Sequence, residues 1–99
     1  MLTDTLRHPS VTMAHPGEML AKITIPATGK SKAEVARLLG VLQQTLYDIL
    51  KQKQPVTPAV AVRLGRQFGD GPNVWISMQA AYDFWRAERE IDVSDIHTI

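Results

Sequence analysis

The sequence predicts an all-α fold of five helices followed by a short tail. Three observations carry that prediction. Helix-starting and helix-stopping residues punctuate the chain from residue 15 onward, apolar residues recur between them at steps of three and four, and no alternating apolar–polar stretch of useful length is present. The short run Ile23-Thr24-Ile25 reads as a helix end rather than a strand.

The elements follow in order. Residues 1–14 carry no helical period and are expected to form a loose N-terminal arm. His15-Pro16-Gly17-Glu18 starts the first helix: proline suits the first helical position, and Glu18 places negative charge where the helix dipole favours it. His15 and Glu18 lie at i and i+3 without a third ligand, so they read as a cap and not as a metal site. Met19, Leu20 and Ile23 are its expected buried stripe, and Pro26 and Gly29 its close. Ser31-Lys32-Ala33-Glu34 matches a capping box. The Ser31 hydroxyl is expected to accept from the Glu34 N–H while Glu34 reaches back. Val35, Leu38 and Leu39 follow at helical spacing, and Gly40 is the stop. Residues 43–50 form a third helix with Leu46, Ile49 and Leu50 on its buried face. Thr57 caps a fourth helix and Pro58 opens it. Ala61, Leu64, Gly65 and Phe68 make its inner face, and Gly69 ends it. Gly71-Pro72 opens a fifth helix, from residue 73 to about 88. The resulting organisation is an arm over 1–14, a helical domain over 15–88 and an acidic tail over 89–99.

The chain has 99 residues and a mass of 11.0 kDa, the size of one domain. A lone domain of this size is marginally stable, which makes a second subunit plausible. No apolar run approaches the roughly 18 residues that cross a bilayer, so no membrane association is expected. The opening MLTDTLRHPS lacks the apolar core of a secretion signal. With no cysteine, disulfides and thiolate metal sites are excluded, and a cytoplasmic location is expected.

The net charge of +1 hides a segregation. Residues 19–69 hold eight Lys/Arg against Glu34 and Asp48, a balance of +6, whereas residues 70–99 balance to −4. A basic middle suits a polyanion and an acidic end does not.

The functional case rests on residues 31–53, SKAEVARLLGVLQQTLYDILKQK. Gly40-Val41-Leu42 is too short to join antiparallel helices, so the two must cross steeply in helix-turn-helix geometry. In that geometry the N-terminal residues of the second helix meet base edges in the major groove. Gln43 and Gln44 stand there. A glutamine amide offers a donor and an acceptor together, complementary to the adenine edge. Thr45 and Tyr47 add a thymine-methyl or phosphate contact. Lys30, Ser31 and Lys32 at one helix start, and Lys51 and Lys53 beyond the other helix end, are placed to clamp phosphates.

From residue 15 to about 88 the chain resembles the HigA-type antitoxins of the XRE/Cro-like helix-turn-helix superfamily. The resemblance is carried by HPGEML, SKAEVARLLGV, QTLYDILK, PVTPAVAVRLGRQFG and GPNVWISMQAAYDFWRAE. The pattern P-x-x-W-x-x-x-Q-x-x-Y-D-x-W in the last of these is the most discriminating. The resemblance implies a lambda-repressor-like all-α domain. It implies a homodimer that binds and represses its own operator DNA, and that neutralises a RelE/HigB-like mRNA-cleaving ribonuclease toxin by binding it. A transcriptional regulator of the same superfamily without a toxin is the alternative. The chain departs from the pattern in three places. Leu42 replaces the usual Ser, Thr or Pro, losing an N-cap worth about 1 kcal/mol unless it is buried. Gln43 replaces a frequent Arg, shifting the expected base from guanine towards adenine. Asn73 replaces the usual Glu.

Trp75, Met78, Gln79, Tyr82 and Trp85 recur along the fifth helix. One side is expected to pack inward and the edge to form the dimer interface, because exposing them all would leave a large apolar patch. Such a dimer spaces its recognition helices about 34 Å apart, one DNA turn. RNA-cleaving toxins of this class are basic, so the acidic Glu88, Glu90, Asp92 and Asp95 are the expected toxin-binding surface, with the N-terminal arm as its rival. No motif supports catalysis, a metal or a cofactor. There is no cysteine nucleophile, no HExxH and no phosphate-binding glycine loop, and His8, His15 and His97 are scattered.

Overall fold

The structure, a computed structural model, describes residues 13–99. The first twelve residues of the expected arm lie outside the described residues. Five helices follow one another, with no strand among the described residues. Helix α1 runs unbroken from Pro16–Met19 through a π-helical turn, Leu20–Thr24, into Ile25–Thr28. Then come α2 (Lys32–Leu39), α3 (Gln43–Leu50), α4 (Pro58–Phe68) and α5 (Pro72–Glu90).

The caps are built as the residue types dictate. His15 Nδ1 accepts from the Gly17 N–H at 2.8 Å, Ser31 Oγ from the Glu34 N–H at 3.1 Å, and Thr57 Oγ1 from the Val60 N–H at 3.3 Å. The capping box at α2 is half made. Glu34 turns forward instead, to the Arg37 guanidinium, which holds its carboxyl below its ordinary value. Both side chains of that pair lie in solvent, so it adds little stability.

Helix α1 corrects the sequence reading in two ways. Pro26 does not end the helix, which continues to the left-handed Gly29. A proline has no N–H to give and its ring crowds the preceding turn. The π turn widens the backbone there, with the Ile25 N–H reaching back to the Leu20 carbonyl. That extra residue also rotates the remainder of the helix by about 100°. Leu20 and Ile25 are therefore buried, while Ile23, expected in the core, stands 62% exposed. Leu38 of α2 is likewise on the surface.

The core draws on every helix: Leu20 and Ile25, Val35 and Leu39, Leu46 and Ile49, Ala61 and Leu64, and Trp75, closed by Val56 from the loop after α3. Phe68 is only partly buried against it. Two glycines fix how α3 sits. At Gly17 a Cβ would stand 1.8 Å from the Ile49 carbonyl oxygen, so α1 meets α3 backbone to backbone. Gly40 turns the chain at φ 76°, and its N–H bonds to the Ala36 carbonyl at 3.0 Å. Arg63 of α4 reaches across to the last α2 turn, Nη1 to the Leu39 carbonyl at 3.0 Å. The helix-turn-helix is thereby fastened to α4.

Candidate nucleic-acid interface

Burial of Leu46, Ile49 and Leu50 turns the opposite face of α3 to solvent. Gln43 and Gln44 are exposed in its first turn, and Thr45 and Tyr47 are half-buried beside them. Leu42 is 76% exposed and contributes no capping bond, so it is not the buried residue that would have excused the lost cap. No cap side chain therefore covers the outward N–H groups at this helix start.

Each amide has a partner one turn on. Gln43 Nε2 lies 2.8 Å from the Tyr47 hydroxyl, and Gln44 Nε2 donates to Asp48 Oδ1 at 2.8 Å. The other Asp48 oxygen accepts from Gln54 Nε2 at 3.2 Å, and its backbone carbonyl from the Lys53 N–H at 2.7 Å. Asp48 thus ties the loop that follows α3 to the first turn of that helix. Sequence reasoning missed both Asp48 and Gln54. The i, i+4 spacing of Gln44 and Asp48 was the available signal.

The basic residues flank this face. Lys32 from the start of α2 and Lys51 from the end of α3 line one cleft of about 340 Å³ with Tyr47, Ala21 and Leu50. Lys30 and Ser31 are exposed just before α2, and Lys53 is exposed in the loop. That loop turns through Gln52, the one non-glycine residue at positive φ (63°) among the described residues. Two cations in one cleft with a tyrosine, beside two exposed amides that each keep hydrogen-bonding capacity, can hold phosphates and present hydrogen bonds to base edges.

Helix α5 divides the aromatic set. Trp75 is 1% exposed, part of the core, with its indole N–H on Asp70 Oδ1 at 2.9 Å. Gln79 is buried too. Its Oε1 accepts from the Val56 N–H at 2.8 Å and its Nε2 donates to Asp83 Oδ1 at 2.8 Å. Both are consumed inside the protomer, which removes them from the dimer face expected of them. A buried amide stapling a loop looks the same in a helical pattern as one awaiting a partner. Met78, Tyr82 and Trp85 remain half-buried, and Phe84, absent from the expected set, is 62% exposed. Tyr82 packs edge-on against the His15 ring at 4.9 Å. Burial, helped by the nearby Arg86 charge, lowers the pKa of His15 below its ordinary 6.5, and the neutral ring is the form that can accept from the Gly17 N–H.

Glu88, Glu90, Asp92 and Asp95 are all exposed. Glu90 is already paired with Arg86 Nη2 at 2.8 Å, and Asp92 Oδ1 accepts from the Ser94 N–H at 2.9 Å, which lowers its pKa. No described helix is long and apolar enough to cross a membrane.

Comparison with known proteins gives consistent results. The CENP-B N-terminal DNA-binding domain matches residues 18–56, which span most of α1 to the loop after α3. Virulence-associated protein I of Dichelobacter nodosus is 34% identical over 76 residues, 77% of this chain and 70% of that protein. Antitoxin GraA superposes with a TM-score of 0.81 at 31% identity, over 91% of this chain and 97% of its own. Pseudomonas aeruginosa antitoxin HigA, solved with the higBA promoter, gives 0.73 at 31% identity, over 81% of this chain and 96% of its own.

Proposed function

Because the chain belongs to the HigA-type antitoxins of the helix-turn-helix superfamily, we propose that it binds and represses its own operator and neutralises a RelE/HigB-like mRNA-cleaving toxin. The observation that carries the DNA half is the exposed pair Gln43 and Gln44 at the tip of α3, with Lys32 and Lys51 in the adjoining cleft. Gln43, Gln44, Thr45 and Tyr47 meet base edges, and Lys30, Ser31, Lys32, Lys51 and Lys53 meet phosphates. The promoter-bound HigA of Pseudomonas aeruginosa supports this reading by its likeness over nearly its whole length. The dimer forms through the outer side of α5, where Met78, Tyr82 and Trp85 are half-buried and Phe84 is exposed at the edge. Such a homodimer spaces two α3 helices to read successive major grooves.

The toxin half rests on the family and on charge: the acidic stretch Glu88, Glu90, Asp92 and Asp95 suits a basic RNA-binding partner. Gel shift with the promoter upstream of the chain's own gene tests the first half, with steep salt dependence expected. Co-expression with the neighbouring reading frame tests the second: restored growth supports the antitoxin, and no rescue of a growth-arresting neighbour leaves a regulator without a toxin. Reversing the four acidic charges is expected to weaken toxin binding and spare operator binding.

A further inference from the structure

We propose that Asp48 is a positioning residue. It fixes which way round the Gln44 amide faces the DNA, so that the base met by Gln44 is read stringently while the base met by Gln43 is read tolerantly. This rests on the reading of α3 as the base-reading helix.

The difference lies in what each amide is tied to. A carboxylate only accepts hydrogen bonds. Asp48 Oδ1, 2.8 Å from Gln44 Nε2, therefore requires the NH₂ end of that amide. Turned over, the amide would set its carbonyl oxygen against a carboxylate oxygen and lose the bond. One N–H is used in this way. The second N–H and the carbonyl oxygen remain, and together they match the acceptor and donor on the adenine edge. Guanine offers two acceptors in the same places, one of which would face the Gln44 oxygen. Gln43 is held differently. Its partner, the Tyr47 hydroxyl at 2.8 Å, either donates or accepts, so the Gln43 amide can turn over and keep its bond.

Asp48 is itself held in place. Its second carboxylate oxygen takes Gln54 Nε2 at 3.2 Å, and its backbone carbonyl takes the N–H groups of Lys53 at 2.7 Å and Gln54 at 3.3 Å. A negative charge on a helix that approaches a polyanion weakens binding to every sequence. What it contributes in return is orientation.

The experiment measures binding of the full chain to its own promoter and to duplexes carrying single base-pair changes across a half-site. In the unsubstituted protein, changing the base met by Gln44 is expected to cost about tenfold or more, and changing its Gln43 neighbour only a few fold. In Asp48→Asn the side chain can donate or accept, so the Gln44 amide is released. The tenfold preference is expected to fall to within a few fold while affinity for a scrambled duplex holds or rises. Tyr47→Phe is expected to leave the Gln44 position stringent. A second readout needs no DNA. The side-chain amide resonances of Gln44 and Gln54 are expected to shift together in Asp48→Asn, and that of Gln43 to stay put. Full stringency retained in Asp48→Asn, or an equal loss on all duplexes, overturns the proposal alone. A chain that prefers no sequence overturns the base-reading role and this proposal with it.

Discussion

The two ends of the domain handle exposed polar and aromatic residues in opposite ways. At the tip of α3 the amides are outside, and their partners, Tyr47 and Asp48, come from the same helix one turn on. Along α5 the corresponding residues are drawn inward. Trp75 joins the core, and Gln79 bonds to Val56 from a loop more than twenty positions away in sequence. The lesson concerns range. A short helix buried on one side displays what its own sequence places on the other. A nineteen-residue helix that passes from core to solvent divides its residues according to tertiary neighbours.

The sharpest way to break the comparison is at the contact that seats α3. Gly17→Ala forces a Cβ into the Ile49 carbonyl. It is expected to cost about 3 kcal/mol or more, measured by urea unfolding, and to abolish DNA binding through loss of the fold. Next, Gln79→Ala leaves the Val56 N–H without its partner and is expected to cost about 2 kcal/mol. Phe84→Ala, on the same helix, should change the stability of the monomer by less than about 0.5 kcal/mol. Equal effects from the two would erase the distinction drawn within α5. Smaller still is the pH dependence of His15. Its folded pKa lies below the 6.5 of the free side chain, so the unfolded chain binds the proton more readily. The stability His15 contributes is complete above pH 6.5 and declines as pH falls below it. His15→Asn retains a capping side chain, and its melting curve is expected to lose that slope. The smallest expected effect is at Gln52, held at φ 63°. Gln52→Gly relieves the backbone there and should stabilise by about 0.5 kcal/mol once the looser unfolded chain is counted.

The five helices and most of their ends were legible because they are local chemistry: Ser31, Thr57 and Pro58 start helices, and Gly29, Gly40 and Gly69 stop them at positive φ. The positions of Gln43 and Gln44 were legible for the same reason, since Leu46, Ile49 and Leu50 leave them only one side to face. The register of α1 was not, because the π turn that accommodates Pro26 adds a residue that a 3.6-residue period does not contain. Nor was the role of Gln79, which depends on where the Val56 loop comes to lie. Asp48 falls between these cases. Its i, i+4 link to Gln44 is local, but its hold on Gln54 depends on how the following loop folds back.

The most direct measurement compares the unsubstituted protein with Gln43→Ala/Gln44→Ala by fluorescence anisotropy, on its own promoter and on a scrambled duplex of equal length. The double variant is expected to lose most of its preference for the promoter while keeping the unsubstituted protein's affinity for the scrambled duplex, at an unchanged melting temperature. A double variant that still prefers the promoter as strongly as its parent would contradict the assignment of the α3 tip as the part of the molecule that reads sequence.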